Sequence, residues 1–145
     1  MASCRQRKTG EEVEITSLIA CSESQLMWPL ARFHARNVLN AGDSIWNSGR
    51  FAPTAIRLKL ADGPQYVTRI EMQTEMNPAR AYVHHEINAG MNSGSMRTYG
   101  CLKGPASHGA WIRVAVNAEV QLLEIATISS PSYVAWRRIR VFGKI

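Results

Sequence analysis

The stretch Ala35-Arg-Asn-Val-Leu-Asn-Ala-Gly-Asp-Ser-Ile-Trp-Asn-Ser48 decides the fold. It places an apolar pair, Val38 and Leu39, before a turn-forming run, Asn40 to Ser44, and then a tryptophan, Trp46. Such a segment reads as a tight polar loop pinned by apolar anchors on both sides. Strand-like sequence follows at once: Arg50 to Pro53 turns the chain into Thr54 to Leu60, where Ile56, Leu58 and Leu60 alternate with Arg57 and Lys59. That alternation describes a half-buried strand with its basic face in water.

Working outward, Asp62-Gly63-Pro64 supplies a turn, Tyr66 to Met76 a second strand ended by Pro78, and Tyr82 to Ile87 a third. Residues 88 to 95 form a small-residue turn, and Gly100 to Gly109, with Lys103, Pro105, Ser107 and His108, reads as an irregular run. Trp111 to Val116 is strand again. Val120 to Ile128 is the most apolar strand and suits the centre of a sheet. Ser129 to Ser132 interrupts before a last strand, Tyr133 to Phe142, with Ala135, Ile139 and Val141 facing in and Arg138 and Arg140 facing out. Upstream, alternation from Val13 predicts one strand ending near Ser22, and Glu23 to His34 is a long connection holding Met27, Trp28, Pro29 and Phe33. A loop with Trp28 and Phe33 either buries them beneath itself or leaves them out for a ligand. Residues 1–10 read as a flexible basic arm. Short strands at about ten-residue spacing, with no helical period, predict one all-β domain over residues 11–145, an antiparallel β-sandwich or jelly roll.

Ala35-x-x-x-Leu39 ahead of Trp46-Asn47-Ser48 resembles the signature of the discoidin-like family (coagulation factor 5/8 type C, galactose-binding-domain-like), in which Ala-x-x-x-Leu-Asp-Gly precedes Trp-x-Ser. Asn40 and Ala41 stand where that family usually has Asp-Gly. Ala20-Cys21-Ser22 is similar to the close of the family's first strand, and Val134 to Gly143 resembles its closing strand. The resemblance implies a non-catalytic module whose loops at one end of the sandwich bind a carbohydrate through an aromatic platform with Arg, Asn and His beside it. The candidates it points to are Trp28, Arg32 and His34 from the first protruding loop, Asn47 and Arg50 from the central region, and Arg80 and His108 from later loops. It also implies a calcium site in many members. Here Arg138 falls where the family tends to place an acid, which is electrostatically unfavourable for a cation. No calcium is expected, and an Arg138–Asp43 pair is expected in its place.

The bulk numbers set the other bounds. With 145 residues and 46% hydrophobic content the chain is long enough for one full core. Its net charge of +6 and pI near 9.7 suit anionic partners, and the basic residues are mostly Arg, which favours bidentate recognition of carboxylate or phosphate. Cys4, Cys21 and Cys101 share no CxxC spacing, so zinc and a disulfide framework lack support, while a single Cys21–Cys101 bridge stays open. Cys21, at the end of an apolar strand, is expected to be buried and inert. No apolar run reaches the ~18 residues of a membrane span, and no hydrophobic segment follows the basic N-terminus, so a cytoplasmic location is expected.

Catalytic motifs are lacking. No Gly-x-Ser-x-Gly elbow, Walker sequence or GxGxxG occurs, and no carboxylate pair is placed across a cleft, so neither an enzyme nor a cofactor is expected. His84-His85-Glu86 lies in a strand, where only His84 and Glu86 share a face, and a structural role is expected for it. The alternative to glycan recognition is an intracellular protein-interaction or nucleic-acid-binding scaffold that uses its basic surface. An exposed edge strand at Tyr82 to Ile87 is the place expected for any self-association.

Overall fold

The structure, a computed structural model, describes residues 11–22, 34–40, 42 and 44–144. Among the described residues, ten strands occur in chain order: β1 (Glu12–Ile15), β2 (Leu18–Ser22), β3 (Trp46–Asn47), β4 (Thr54–Leu60), β5 (Gln65–Thr74), β6 (Arg80–Gly90), β7 (Arg97–Ser107), β8 (Trp111–Val120), β9 (Leu122–Ser129) and β10 (Ala135–Lys144). A 3-10 turn, Ala35–Leu39, precedes β3. The strands form two antiparallel sheets: sheet A runs β1-β10-β5-β8 with β3 also on β10, and sheet B runs β2-β4-β9-β6-β7. This is the antiparallel sandwich that the short alternating strands predict. β4 has the predicted bounds, and the apolar β9 is the middle strand of sheet B.

The inner faces of both sheets close on one core. Trp46, Ile56, Leu58, Ile70, Met72, Ile87, Leu123, Ile125, Trp136, Ile139 and Val141 are fully buried in it. The two resembling segments therefore meet, since Trp46 lies opposite Trp136 in the β3–β10 pairing and shares a core with Val141. Val38 of the 3-10 turn is buried in the same cluster, and Asn37 fixes that turn by donating from Nδ2 to the Ile45 carbonyl at 3.0 Å. Gly143, the last residue of the closing segment, is needed for close approach: a Cβ there would sit 2.5 Å from the Tyr66 carbonyl oxygen.

Four expectations are corrected. The single first strand is two strands in different sheets, because Thr16 and Ser17 carry the chain across the edge of the sandwich and shift the alternation by one residue. Ile15 faces the core in β1, but in β2 Leu18 and Ala20 pack on it while Ile19 is 51% exposed. The run Gly100 to Gly109 is mostly β7, which carries Pro105 because it is an edge strand with one unpaired side. Tyr82 to Ile87 is thus not an edge, since β6 pairs with β9 on one side and β7 on the other. Cys21 is exposed rather than buried, and Cys101 is exposed too; they lie on β2 and β7, opposite edges of sheet B. Four strand spacings, about 19 Å, separate those edges, so no bridge joins them.

Candidate functional site

Strand registers gather four connections at one end of the sandwich. Asn47 opposes Ala135, Thr74 opposes Trp136, Gln73 opposes Trp111, and Arg80 opposes Ser107. Segments 47–54, 75–80, 107–110 and 129–135 therefore lie together. They are tied by backbone bonds: Ser48 N donates to the Val134 carbonyl and Val134 N to the Arg50 carbonyl, both at 2.9 Å. Thr74 holds the opposite pair of segments, its hydroxyl donating to the Ser107 carbonyl at 2.6 Å and accepting from Ala110 N at 3.1 Å. Loops bound this way present side chains from a fixed frame.

Between these segments lies a cleft of about 210 Å³ lined by Asn47, Glu75, Met76, Asn77, Ser132, Tyr133 and Ala135. The Phe51 ring meets Tyr133 edge-on at 4.8 Å and is itself 64% exposed, so aromatic surface stands at the rim. An aromatic face beside hydroxyl, amide and carboxylate groups can stack on the apolar side of a sugar ring and bond its hydroxyls. Glu75 is held from both sides: Arg137 Nε and Nη2 lie 3.1 Å from Oε1, and His108 Nε2 lies 4.0 Å from it. Met76 N donates to His108 Nδ1 at 3.1 Å, which assigns the neutral ring's proton to Nε2, on the Glu75 side. Asn77 N donates to the Ser132 hydroxyl at 3.4 Å and joins the two walls.

Of the residues read from the sequence, Asn47 lines the cleft, its Oδ1 accepting from Gly49 N at 2.9 Å. His108 supports the Glu75 wall. Arg50 is exposed next to Phe51, and Arg80 is exposed at the same end with Nη1 3.4 Å from the Ser107 hydroxyl; neither lines the cleft. His34 is exposed at the start of the 3-10 turn and is also outside the lining. Trp28 and Arg32 lie outside the described residues, as does Asp43. Arg138 has a different acid near it, Glu14, whose Oε2 lies 4.0 Å from Nη2.

Phe51, Glu75, Asn77, Ser132 and Tyr133 were not read from the sequence. Phe51 carried a usable signal: an aromatic between Arg50 and Ala52-Pro53, inside a tight turn, has no core to enter.

Solved structures with this architecture make the comparison concrete. The family 32 carbohydrate-binding module of Clostridium perfringens NanJ, solved with galactose, superposes with a TM-score of 0.72 at 13% identity, covering 91% of this chain and 99% of that one. The fold is that of the family 32 modules. A second family 32 module from C. perfringens, solved with GalNAc-β-1,3-galactose, gives 0.75 at 10% identity over 89% of this chain and 99% of that one. Chitosan-binding module 1 from a Paenibacillus sp. IK-5 chitosanase/glucanase gives 0.73 at 16% identity, with 90% and 99% covered. No protein-family model and no curated protein matches the sequence.

Away from the loop end, the sandwich carries a layer of paired charges on sheet A. Glu71, only 5% exposed, accepts from Arg69 Nε at 2.8 Å and lies 3.1 Å from Arg113 Nε. Arg140 holds Glu14 with both Nε and Nη2, at 3.2 and 3.0 Å, and Arg69 also bonds Glu12. These contacts keep Glu12 and Glu14 below the usual carboxylate pKa, through hydrogen bonds from Thr68 and then Arg69 for Glu12 and from Arg140 for Glu14. Sheet B separates the histidine pair as its alternation requires. His85 points into the core, bonded to the Thr127 hydroxyl at 2.9 Å and packed on Trp136, and desolvation, with a smaller contribution from the His84 charge, lowers its pKa to about 4. His84 and Glu86 share the outer face, with Nε2 and Oε2 3.6 Å apart. Among the described residues no helix is long and apolar enough to cross a membrane.

Proposed function

We propose that this chain is a non-catalytic glycan-recognition module that binds a sugar at the loop end. The observation that carries the reading is the cleft between Asn47, Asn77 and Ser132, with Tyr133 and exposed Phe51 at its rim. Stacking on the aromatic pair supplies affinity, while Asn47, Asn77, Ser132 and Glu75 select among hydroxyl orientations. The Glu75 carboxylate, although paired with Arg137, can accept hydrogen bonds from the hydroxyl or amino groups of a sugar. Galactose, GalNAc-β-1,3-galactose and chitosan, named for the three similar structures, are the first ligands to try. Trp28 and Arg32 are kept as candidate contacts from the preceding loop.

Of the thirteen arginines, Arg57, Arg69, Arg113, Arg137, Arg138 and Arg140 lie within 4.0 Å of the protein's own carboxylates, which reduces the basic surface left for a charge-led partner. A glycan array with the wild type, Tyr133→Ala and Trp28→Ala is the test. Binding of a glycan that Tyr133→Ala weakens roughly 30-fold is expected. Silence across the array, or affinity for heparin and DNA that falls steeply with salt, contradicts the reading.

A further inference from the structure

His84, Glu86 and Cys101 converge on the outer face of sheet B, and no part of the glycan reading uses them. His84 and Glu86 are two residues apart on β6, and Cys101 lies directly opposite Glu86 on β7. One candidate ligand atom from each falls within 4.8 Å of the others. His84 Nε2 is 3.5 Å from Cys101 Sγ and 3.6 Å from Glu86 Oε2. Zinc held tetrahedrally, about 2.0 Å from nitrogen or oxygen and about 2.3 Å from sulfur, sets nitrogen-to-sulfur and nitrogen-to-oxygen separations of about 3.5 and 3.3 Å. The imidazole therefore already stands at near-coordinating distance from both other ligands, and only the sulfur-to-carboxylate gap has to close.

We propose that His84, Glu86 and Cys101 form a binding site for a divalent transition metal of the zinc class, with water as the fourth ligand. The donor set decides the metal: a thiolate and an imidazole select a borderline-soft ion over calcium or magnesium, which take hard oxygens. Binding replaces a proton. A thiol coordinates as thiolate, so the metal enters as the Cys101 sulfur gives up its proton to solvent, and the thiolate and carboxylate together balance a +2 ion. Lys103 opposes His84 in the register and is exposed, so its flexible stem can carry the ammonium away from the ion. The metal would join β6 to the edge strand β7. His84 is four residues along β6 from Arg80, about 13 Å, so the site is separate from the loop end.

The test is titration of the reduced full chain with Zn²⁺ in metal-free buffer, followed by Co²⁺ spectroscopy. Wild type is expected to take up one equivalent with proton release, and Cys101→Ser and His84→Ala are each expected to weaken binding by about 100-fold. With Co²⁺, a thiolate-to-metal charge-transfer band and tetrahedral d–d bands are expected in the wild type and in Cys21→Ser, and neither in Cys101→Ser. Thermal unfolding without metal confirms that each variant is folded; should Cys101→Ser unfold, His84→Ala makes the same test with the thiol intact. Zinc affinity that survives Cys101→Ser, a charge-transfer band that disappears with Cys21→Ser, or no uptake by the wild type overturns the proposal.

Discussion

The outer face of sheet A and the loop end are both rich in polar side chains, yet they spend them differently. On sheet A, Glu12, Glu14 and Glu71 are matched by Arg69, Arg113 and Arg140 across four adjacent strands, and Arg69 and Arg140 also lie over the Phe142 ring, 3.9 and 5.0 Å from its centroid. At the loop end the backbone satisfies itself through the Ser48–Val134 and Thr74–Ala110 bonds, leaving Phe51 exposed and the Asn47, Asn77 and Ser132 walls open to a cleft. The first surface stabilises; the second is the one proposed to receive a ligand.

Variants separate the two roles. The largest effect is expected at Glu71, because its removal leaves the Arg69 and Arg113 guanidinium groups around an emptied, buried position. Glu71→Ala is expected to lower stability by about 3 kcal/mol in urea unfolding, with glycan affinity unchanged. An effect of similar size is expected from acid. His85 stays neutral in the folded state down to about pH 4, whereas the unfolded chain takes up the proton near 6.5, so stability falls as pH drops through that window, by up to about 3 kcal/mol. His85→Gln is expected to flatten that slope. The lowered carboxylates of Glu12 and Glu14 add their loss only below 4.5, where the unfolded chain takes up protons first.

At the loop end the order reverses. Tyr133→Ala is expected to cost about 2 kcal/mol of glycan binding, roughly 30-fold in Kd by calorimetry, with a small change in unfolding temperature. The smallest effect is expected from Arg113→Ala: its side chain is 74% exposed, and exposed ion pairs contribute about 0.5 kcal/mol or less. A large stability loss there, or a binding loss at Glu71, breaks the division between the two surfaces.

Much of this architecture is legible in the chain. Alternation in Thr54–Leu60 marks β4 to the residue, and the apolar run after Val120 marks the central strand of sheet B. What escaped has physical causes. β7 was hidden because an edge strand tolerates Gly104 and Pro105, residues that otherwise read as loop. The β1–β2 crossing was hidden because Thr16 and Ser17 preserve an apparent alternation while the chain changes sheets. The cleft was only partly legible: of its lining the sequence singled out Asn47 but not Tyr133 or Glu75, because connections distant in sequence build it and no local spacing connects them. The grouping of Cys101 with His84 was equally invisible, since it depends on strand register across 17 residues.

The central claim is that the loop end receives the ligand. It is tested most directly by mapping backbone amide shifts while the glycan that scores highest on the array is titrated in. Saturable shifts concentrated at residues 47–51, 75–77 and 132–135, with the amides of sheet A's outer face unmoved, are the predicted result. Shifts centred on either sheet face, with the loop end silent, would contradict it.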